Sequence, residues 1–309
     1  MAADVYSFTV FTATYNRAHL LPRVYSSLEL QTYRDFEWLV VDDGSTDDTR
    51  SLIDSYSRKA TFPIRYVYQD NAHKKTAFNR GVRESRGELF LQLDSDDECV
   101  PNALERLWWN WMNIPEGERG RFSAVTALCV DENGHIVGTR FPAEEDRNWI
   151  DSDSLEIHYR YHVQGEKWGF HRTDVLKEFP FPENVHGLVP EGVVWSVISR
   201  HYRTRYINEA LRIYHTEPDQ LTRQEDVSKS ADGLALWARE VLEHEWQWLK
   251  YDPVQILKAA ANYTRFHRHL HHTEPSKQWS LKTLVPLLLV ALMWPLGMGK
   301  YWLDLRTRR

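Results

Sequence analysis

The 309-residue chain is 42% apolar, with 38 basic and 44 acidic side chains and a formal charge of −6. The apolar share is ample for a core, and the acidic balance argues against a general nucleic-acid binder. Two cysteines, Cys99 and Cys129, outside any CxxC spacing give neither a disulfide framework nor a zinc site, as suits a reducing compartment. The opening MAADVYSFTVFTATYN lacks the basic start and long apolar core of a signal peptide, so a cytoplasmic location is expected. Thirteen tryptophans, several of them in the C-terminal third, offer faces for sugar stacking or for a membrane interface.

Short apolar runs alternate with amphipathic stretches over the first hundred residues, the pattern of βαβ units in a mostly parallel sheet. Strands are expected at 7–13, 37–43, 64–70 and 88–94. Helices are expected at about 18–31, at 46–59 behind a capping-box-like Ser45-x-x-Asp48, and at about 75–85. A parallel sheet delivers its strand ends to one edge, where open α/β sheets bind ligands. The ends here carry Thr14, Tyr15 and Asn16, then Asp42 and Asp43, then Asp70 and Asn71, then Asp94 and Asp96.

Past residue 100 the spacing predicts a Trp-rich helix over 102–113 and a hairpin turned at Asn133-Gly134. Helical segments follow near 152–161 and 172–178, then a helix entered at Pro190, a strand over 204–215, and two long helices over about 228–250 and 253–272. The run RFHRHLHH at 265–272 reads as a basic patch facing lipid or pyrophosphate. From Thr283 to Gly299, 17 residues carry no charge, flanked by Lys277, Lys282, Lys300, Arg306, Arg308 and Arg309. A spanning helix needs about 20 apolar residues, and this one contains Pro286 and Pro295. It is expected to dip into or lie on the membrane, its basic flanks meeting anionic headgroups, with a buried core helix as the alternative.

The densest feature is Asp94-Ser95-Asp96-Asp97, three carboxylates in four positions at the end of a buried strand. Helix capping accounts for at most one, since the next helix begins only around Pro101. A D-x-D presents hard oxygen donors that suit Mg²⁺ or Mn²⁺, and positions i and i+2 of an extended segment point the same way.

The stretches TATYNRAHLLPRVYSSLELQTYRDFEWLVVDDGSTDDT, NAHKKTAFNRGVRESRGELFLQLDSDD and PEGVVW together resemble glycosyltransferase family 2, inverting enzymes of the GT-A fold. The resemblance is strong over 7–100, weaker to about 216 and absent after that. It implies a Rossmann-like, mostly parallel sheet flanked by helices, with a C-terminal helical, membrane-associating extension. It divides the chain into a catalytic domain at 1–220 (nucleotide-sugar half 1–100, acceptor half 101–220), a helical extension at 221–275 and an apolar tail at 276–309.

Carried over residue by residue, the resemblance implies that Asp96 ligates Mn²⁺ or Mg²⁺ and that Asp94 lies near the ribose and metal-bound water beside Ser95. Asp97 helps to shape the sugar pocket. Asp42, with Asp43, accepts a hydrogen bond from the base, which Thr12 and Tyr15 cradle. Lys74, Lys75, Asn79 and Arg80 face phosphate or brace the acidic loop. His215 is directed to the metal or diphosphate, and Trp168 lines the acceptor and sugar site. The family's base is an acid in an Asp/Glu-Asp pair at a helix start. Here Glu191 is present but Gly192 replaces the second acid, so Glu191 is the first choice and Asp97 the second.

The expected activity is hexosyl transfer from a nucleotide-diphosphate sugar, UDP-linked, to a polyprenyl-diphosphate-linked glycan. The expected place is the cytoplasmic side of the bacterial inner membrane, in surface polysaccharide assembly. Two alternatives stand beside it. A sugar nucleotidyltransferase would show a glycine-rich basic loop after strand one, where this chain reads TATYNRAH. A non-catalytic glycan-binding protein on the same scaffold would keep no donor chemistry.

Overall fold

The computed structural model describes residues 5–143, 146–216, 229–270 and 280–307. Lys277, Arg308, Arg309 and the last residues of the basic run lie outside them. The described residues of 1–180 and 197–218 form one compact body, and those of 181–196 and 219–309 a second.

In the first body the chain runs β1 (Tyr6–Thr14), α1 (Leu21–Glu29), β2 (Phe36–Asp42), α2 (Thr49–Ser57), β3 (Ile64–Tyr68), α3 (Lys74–Glu84) and β4 (Gly87–Gln92). It continues through β5 (Glu98–Cys99), α4 (Ala103–Met112), α5 (Glu116–Arg119), β6 (Phe122–Val130), β7 (Trp149–Ser152), β8 (Lys167–Arg172) and α6 (Thr173–Glu178). After α7 (Gly192–Ser199), which straddles the two bodies, it closes with β9 (Arg203–Ile213). The sheet order is β3-β2-β1-β4-β8-β6-β9-β5, with β7 also on β9.

Strands β3, β2, β1 and β4 are parallel, as their near-continuous apolar runs dictate: β2 is buried at every position. Its interior acid, Glu37, is satisfied there by Thr9 Oγ1 at 2.8 Å and by the Arg65 guanidinium at 3.1 Å. Register pairs Thr14 with Asp42 and Phe11 with Gln92, so these strands end together on one carboxyl edge. Strand β8 then inserts antiparallel between β4 and β6 and makes the sheet mixed. Aromatic rings fill both faces: Tyr25 stacks on Tyr56 with centroids 4.0 Å apart, and Phe11 on Phe90 at 5.0 Å.

Three local expectations change. The hairpin at Asn133-Gly134 keeps its turn but shrinks to one bridge, Val130 to Ile136. There Asp131 Oδ1 accepts from the Asn133 and His135 amides and offers the backbone a competing partner. The region expected as helix at 152–161 opens as β7 and becomes a single π-helical turn, Glu156–Arg160. The capping box does not form. Ser45 Oγ instead accepts from the Asn16 amide, and Asp47 Oδ1 caps the Thr49 amide at 3.1 Å.

The second body is helical: α8 (Ala231–Glu245), a 3₁₀ turn at Trp246–Lys250, α9 (Pro253–His267) and α10 (Leu284–Thr307). Helix α9 starts where expected because Asp252 caps the Gln255 amide and Pro253 supplies a preset φ at the first position. Helix α10 continues through Pro295 to Thr307, well beyond the uncharged run. Gly297 lets it approach α9 closely, since a Cβ there would stand 2.5 Å from the Ala261 carbonyl oxygen.

Candidate active site

The carboxyl edge of β1, β2 and β4 is stitched before it offers any free group. Asn16, in the left-handed region at φ 52°, accepts from the Thr46 amide at 2.8 Å, and the Ala18 amide donates to Asp47 at 2.9 Å. The loops after β1 and β2 thus form one wall. Asp42 takes the Ser45 amide on one oxygen and the Tyr66 hydroxyl, 2.6 Å away, on the other. Burial, then that hydrogen bond, pushes the Tyr66 hydroxyl far up from its ordinary range. Asp43 Oδ1 accepts from Gln69 at 2.7 Å and from the Ala72 amide at 2.9 Å. Gly44, at φ +91°, makes the turn between these acids and Ser45, and a Cβ there would meet the Asn71 amide nitrogen at 2.8 Å. Tyr15 is half exposed at the same edge.

At the next strand end, each acid of the dense cluster has its own cation, delivered by a different element. Lys74, at the start of α3, lies 3.2 Å from Asp94, which also accepts from Gln92 at 2.8 Å. Arg17, three residues beyond β1, lies 2.8 Å from Asp96 Oδ2 and 3.3 Å from Ser95 Oγ. Arg212, from β9, lies 2.7 Å from the buried Asp97. Burial alone would raise Asp94, but Lys74 and Arg212 outweigh it and hold that carboxyl well below the usual range. For Asp97 burial wins: it pushes the carboxyl up to about 7 against the pull of Arg212, with Asp94 adding to the rise.

His215 packs beside this cluster. Its amide donates to Asp97 at 3.1 Å, while Nδ1 faces Glu132 at 2.6 Å and Nε2 faces Glu98 at 2.8 Å. Turning it toward a metal or diphosphate requires release of one glutamate.

Two expected site residues belong to the core instead. Thr12 is fully buried; its hydroxyl donates to the Leu93 carbonyl and accepts from the Trp38 indole, because its place in β1 turns it inward. Trp168 is likewise buried, its indole N–H donating to the Gln92 carbonyl at 2.5 Å, where it ties β8 to the end of β4. On α3, Lys75 and Asn79 lie on the buried face, and Arg80 pairs with Glu84 one turn on, at 2.8 Å. Sequence reasoning missed Arg17 and Arg212. Arg17 had a visible signal, since it follows strand one onto the same rim, whereas Arg212 is one of three arginines in β9 and nothing local singles it out.

Glu191 belongs to the second body, immediately before α7, whose Val194 and Trp195 amides donate to its carbonyl. The Trp195 indole N–H lies 3.3 Å from its carboxylate. At Gly192 a Cβ would sit 3.2 Å from Trp237 Nε1, so an indole borders the position of the absent second acid.

Among the described residues no three His, Cys, Asp or Glu side chains gather as a ready metal site. Asp96, Ser95 and Asp94 fit a hard divalent cation as part of an oxygen shell that a bound diphosphate and water would complete.

A parallel α/β edge bearing paired acids, a D-x-D and flanking cations is the edge at which open α/β sheets bind their ligands. The sequence profile of glycosyl transferase family 2 matches residues 9–116. It is 25% identical to a GalNAc(5)-diNAcBac-PP-undecaprenol beta-1,3-glucosyltransferase of Campylobacter jejuni, over 92% of each chain. It is 37% identical over 99 residues to an uncharacterized glycosyltransferase of Nostoc, a match spanning 32% of this chain and 31% of that relative. Among solved structures, S. aureus TarS in complex with UDP-GlcNAc aligns over 96% of this chain and 81% of its own, with TM-score 0.59 and 18% identity. A mannosyltransferase of Pyrobaculum calidifontis, in complex with GDP-Man and Mn²⁺, aligns over 98% and 85%, with TM-score 0.53 and 16% identity. The fold is GT-A, as in these solved structures.

Proposed function

We propose that this enzyme transfers a hexose, with inversion, from a UDP-sugar to a polyprenyl-diphosphate-linked glycan at the cytoplasmic face of a bacterial inner membrane. The observation that carries the reading is the rim itself: Asp94 and Asp96 at the end of β4, beside the acids that close β2. The names of the relatives add the substrates: UDP-GlcNAc for one fold neighbour, an undecaprenol-linked acceptor for the Campylobacter relative. Asp96, with Ser95 and Asp94, would hold a divalent cation, and such an ion offsets the charge that builds on the departing diphosphate. Asp43 and Tyr15 would meet the base, and Lys74 would meet phosphate. Glu191 takes the acceptor hydroxyl proton as that oxygen attacks, its carboxylate oriented by the Trp195 N–H.

Helix α10 supports membrane contact. It has the length and composition to cross a bilayer, yet only 11% of its most apolar window is buried in the protein. Its inner face is fixed to α9 by polar groups, with Asp304 against Arg265 at 2.5 Å and His269 at 3.0 Å, and Lys300 against Asn262 at 3.4 Å. Crossing the hydrocarbon would drag those charges with it at a cost of several kcal/mol. Lying flat keeps them in water and lets Leu288, Leu292, Trp294 and Trp302 enter the interface, with Lys282, Lys300 and Arg306 near anionic headgroups.

The decisive experiment scans nucleotide sugars with Mn²⁺ or Mg²⁺ for protection against thermal unfolding. A true donor at about 100 times its Kd adds roughly 2.7 kcal/mol of stability, an easily read rise in Tm. If no nucleotide sugar shifts the transition, the donor reading falls.

A further inference from the structure

We infer that Arg17 is a resident cation of the acid rim: it occupies Asp96 until a diphosphate arrives and so couples metal binding to donor binding. This deepens the metal-dependent reading above and rests on it.

The three acid–cation pairs differ in how readily the cation can leave. Arg212 and Asp97 are 7% and 2% exposed, a permanent pair. Lys74 and Asp94 are open to solvent at 39% and 29%. Arg17 and Asp96, at 21% and 12%, lie between, and this pair includes the carboxylate that the D-x-D pattern assigns to the ion. The guanidinium 2.8 Å from Oδ2 uses the oxygen a hard cation needs, and its charge repels that cation across the same short distance.

A divalent ion arriving alone must therefore displace Arg17 from Asp96 Oδ2 and then sit close to its guanidinium charge. An ion arriving with a diphosphate brings its own negative charge, and a planar guanidinium pairs well with phosphate oxygens. The loop keeps its shape during this exchange, because Arg23 Nη1 separately holds the Asp96 carbonyl oxygen at 2.6 Å. Metal and donor thus strengthen one another, as linkage requires.

The test titrates the full chain with Mn²⁺, reading free ion by electron paramagnetic resonance, with and without UDP. Wild type should bind Mn²⁺ weakly alone and more tightly with UDP. Arg17→Gln should bind Mn²⁺ alone about tenfold more tightly, and UDP should then add less. Arg17→Lys should behave like wild type, and removal of a distant charge in Arg58→Gln should leave Mn²⁺ affinity unchanged. If thermal unfolding shows that Arg17→Gln is not folded, Arg17→Met, which keeps the aliphatic stem, takes its place. Equal or weaker Mn²⁺ binding by the neutral variant, with the UDP effect intact, would overturn the role of Arg17 alone. Failure of UDP to strengthen Mn²⁺ binding in wild type would remove the metal-dependent reading and this inference with it.

Discussion

The acid rim and helix α10 both strain the ordinary rules of folding, and they do so in opposite ways. The rim crowds three carboxylates into four residues and resolves the repulsion pair by pair, with Lys74, Arg17 and Arg212 each assigned to one acid. Helix α10 exposes leucines and tryptophans along one face, Leu284 at 71% and Leu292 at 69%, and resolves nothing within the described residues. One region works through individual partners at fixed distances, the other through summed area. A single substitution should therefore disable the rim, whereas the helix face should yield only to several changes or to one that breaks its seat on α9.

The sharpest break of this contrast is Asp96→Ala. Loss of an anchor for charge on the leaving group should lower kcat/KM by about a thousandfold or more, measured as UDP release with acceptor present. The same variant should bind anionic vesicles like wild type, since α10 is untouched. Transfer at the wild-type rate would remove the D-x-D from the mechanism.

Next in size is the double change Leu288→Glu with Leu292→Glu on the exposed face. Removing two leucines from an interface forfeits roughly 1.5–3 kcal/mol each, so vesicle affinity in sedimentation assays should fall by about a hundredfold or more. The rise in Tm with a UDP-sugar should stay as in wild type. Undiminished vesicle binding would mean that this face meets something other than lipid.

Smaller again is Gly297→Val, which attacks the seat of the helix. With a Cβ only 2.5 Å from the Ala261 carbonyl oxygen, backbone must shift, at a cost of about 1–3 kcal/mol in denaturant unfolding. A neutral result would show that α10 is not packed on α9 as described.

The same contrast explains what could be read from the sequence. The strands β1 to β4 and helices α1 to α4 were legible because apolar period and strand ends are local properties, and the acids stood out by their density. The orientation of individual side chains was not legible. Thr12 and Trp168 carried plausible chemistry, yet each spends its polar group on a core carbonyl, of Leu93 and Gln92, that lies 81 and 76 residues away in the chain. Strand β8 was missed for a related reason: its place between β4 and β6 depends on long-range pairing that no local pattern encodes. The role of Arg212 is equally non-local, because its partner Asp97 comes from another strand end.

The smallest effect concerns pH and separates the seat of α10 from its lipid face. Burial would raise the Asp304 carboxyl, but hydrogen bonds and charge from Arg265 and His269 prevail and hold it below its ordinary range. A carboxyl depressed in the folded state adds stability above its unfolded pKa of about 3.9, and that contribution disappears as pH falls through the folded value. Asp304→Asn should therefore be less stable than wild type at neutral pH by about 1 kcal/mol, given the partial exposure of the pair. The gap should begin to narrow below about pH 4 and close as pH falls through the depressed folded value, where wild type loses the same charge. Urea unfolding at several pH values reads it directly, and a gap as wide at pH 3 as at pH 7 would show that Asp304 acts by shape rather than by charge. The rim is indifferent to this change, so the stabilisation given by a UDP-sugar at neutral pH should match wild type.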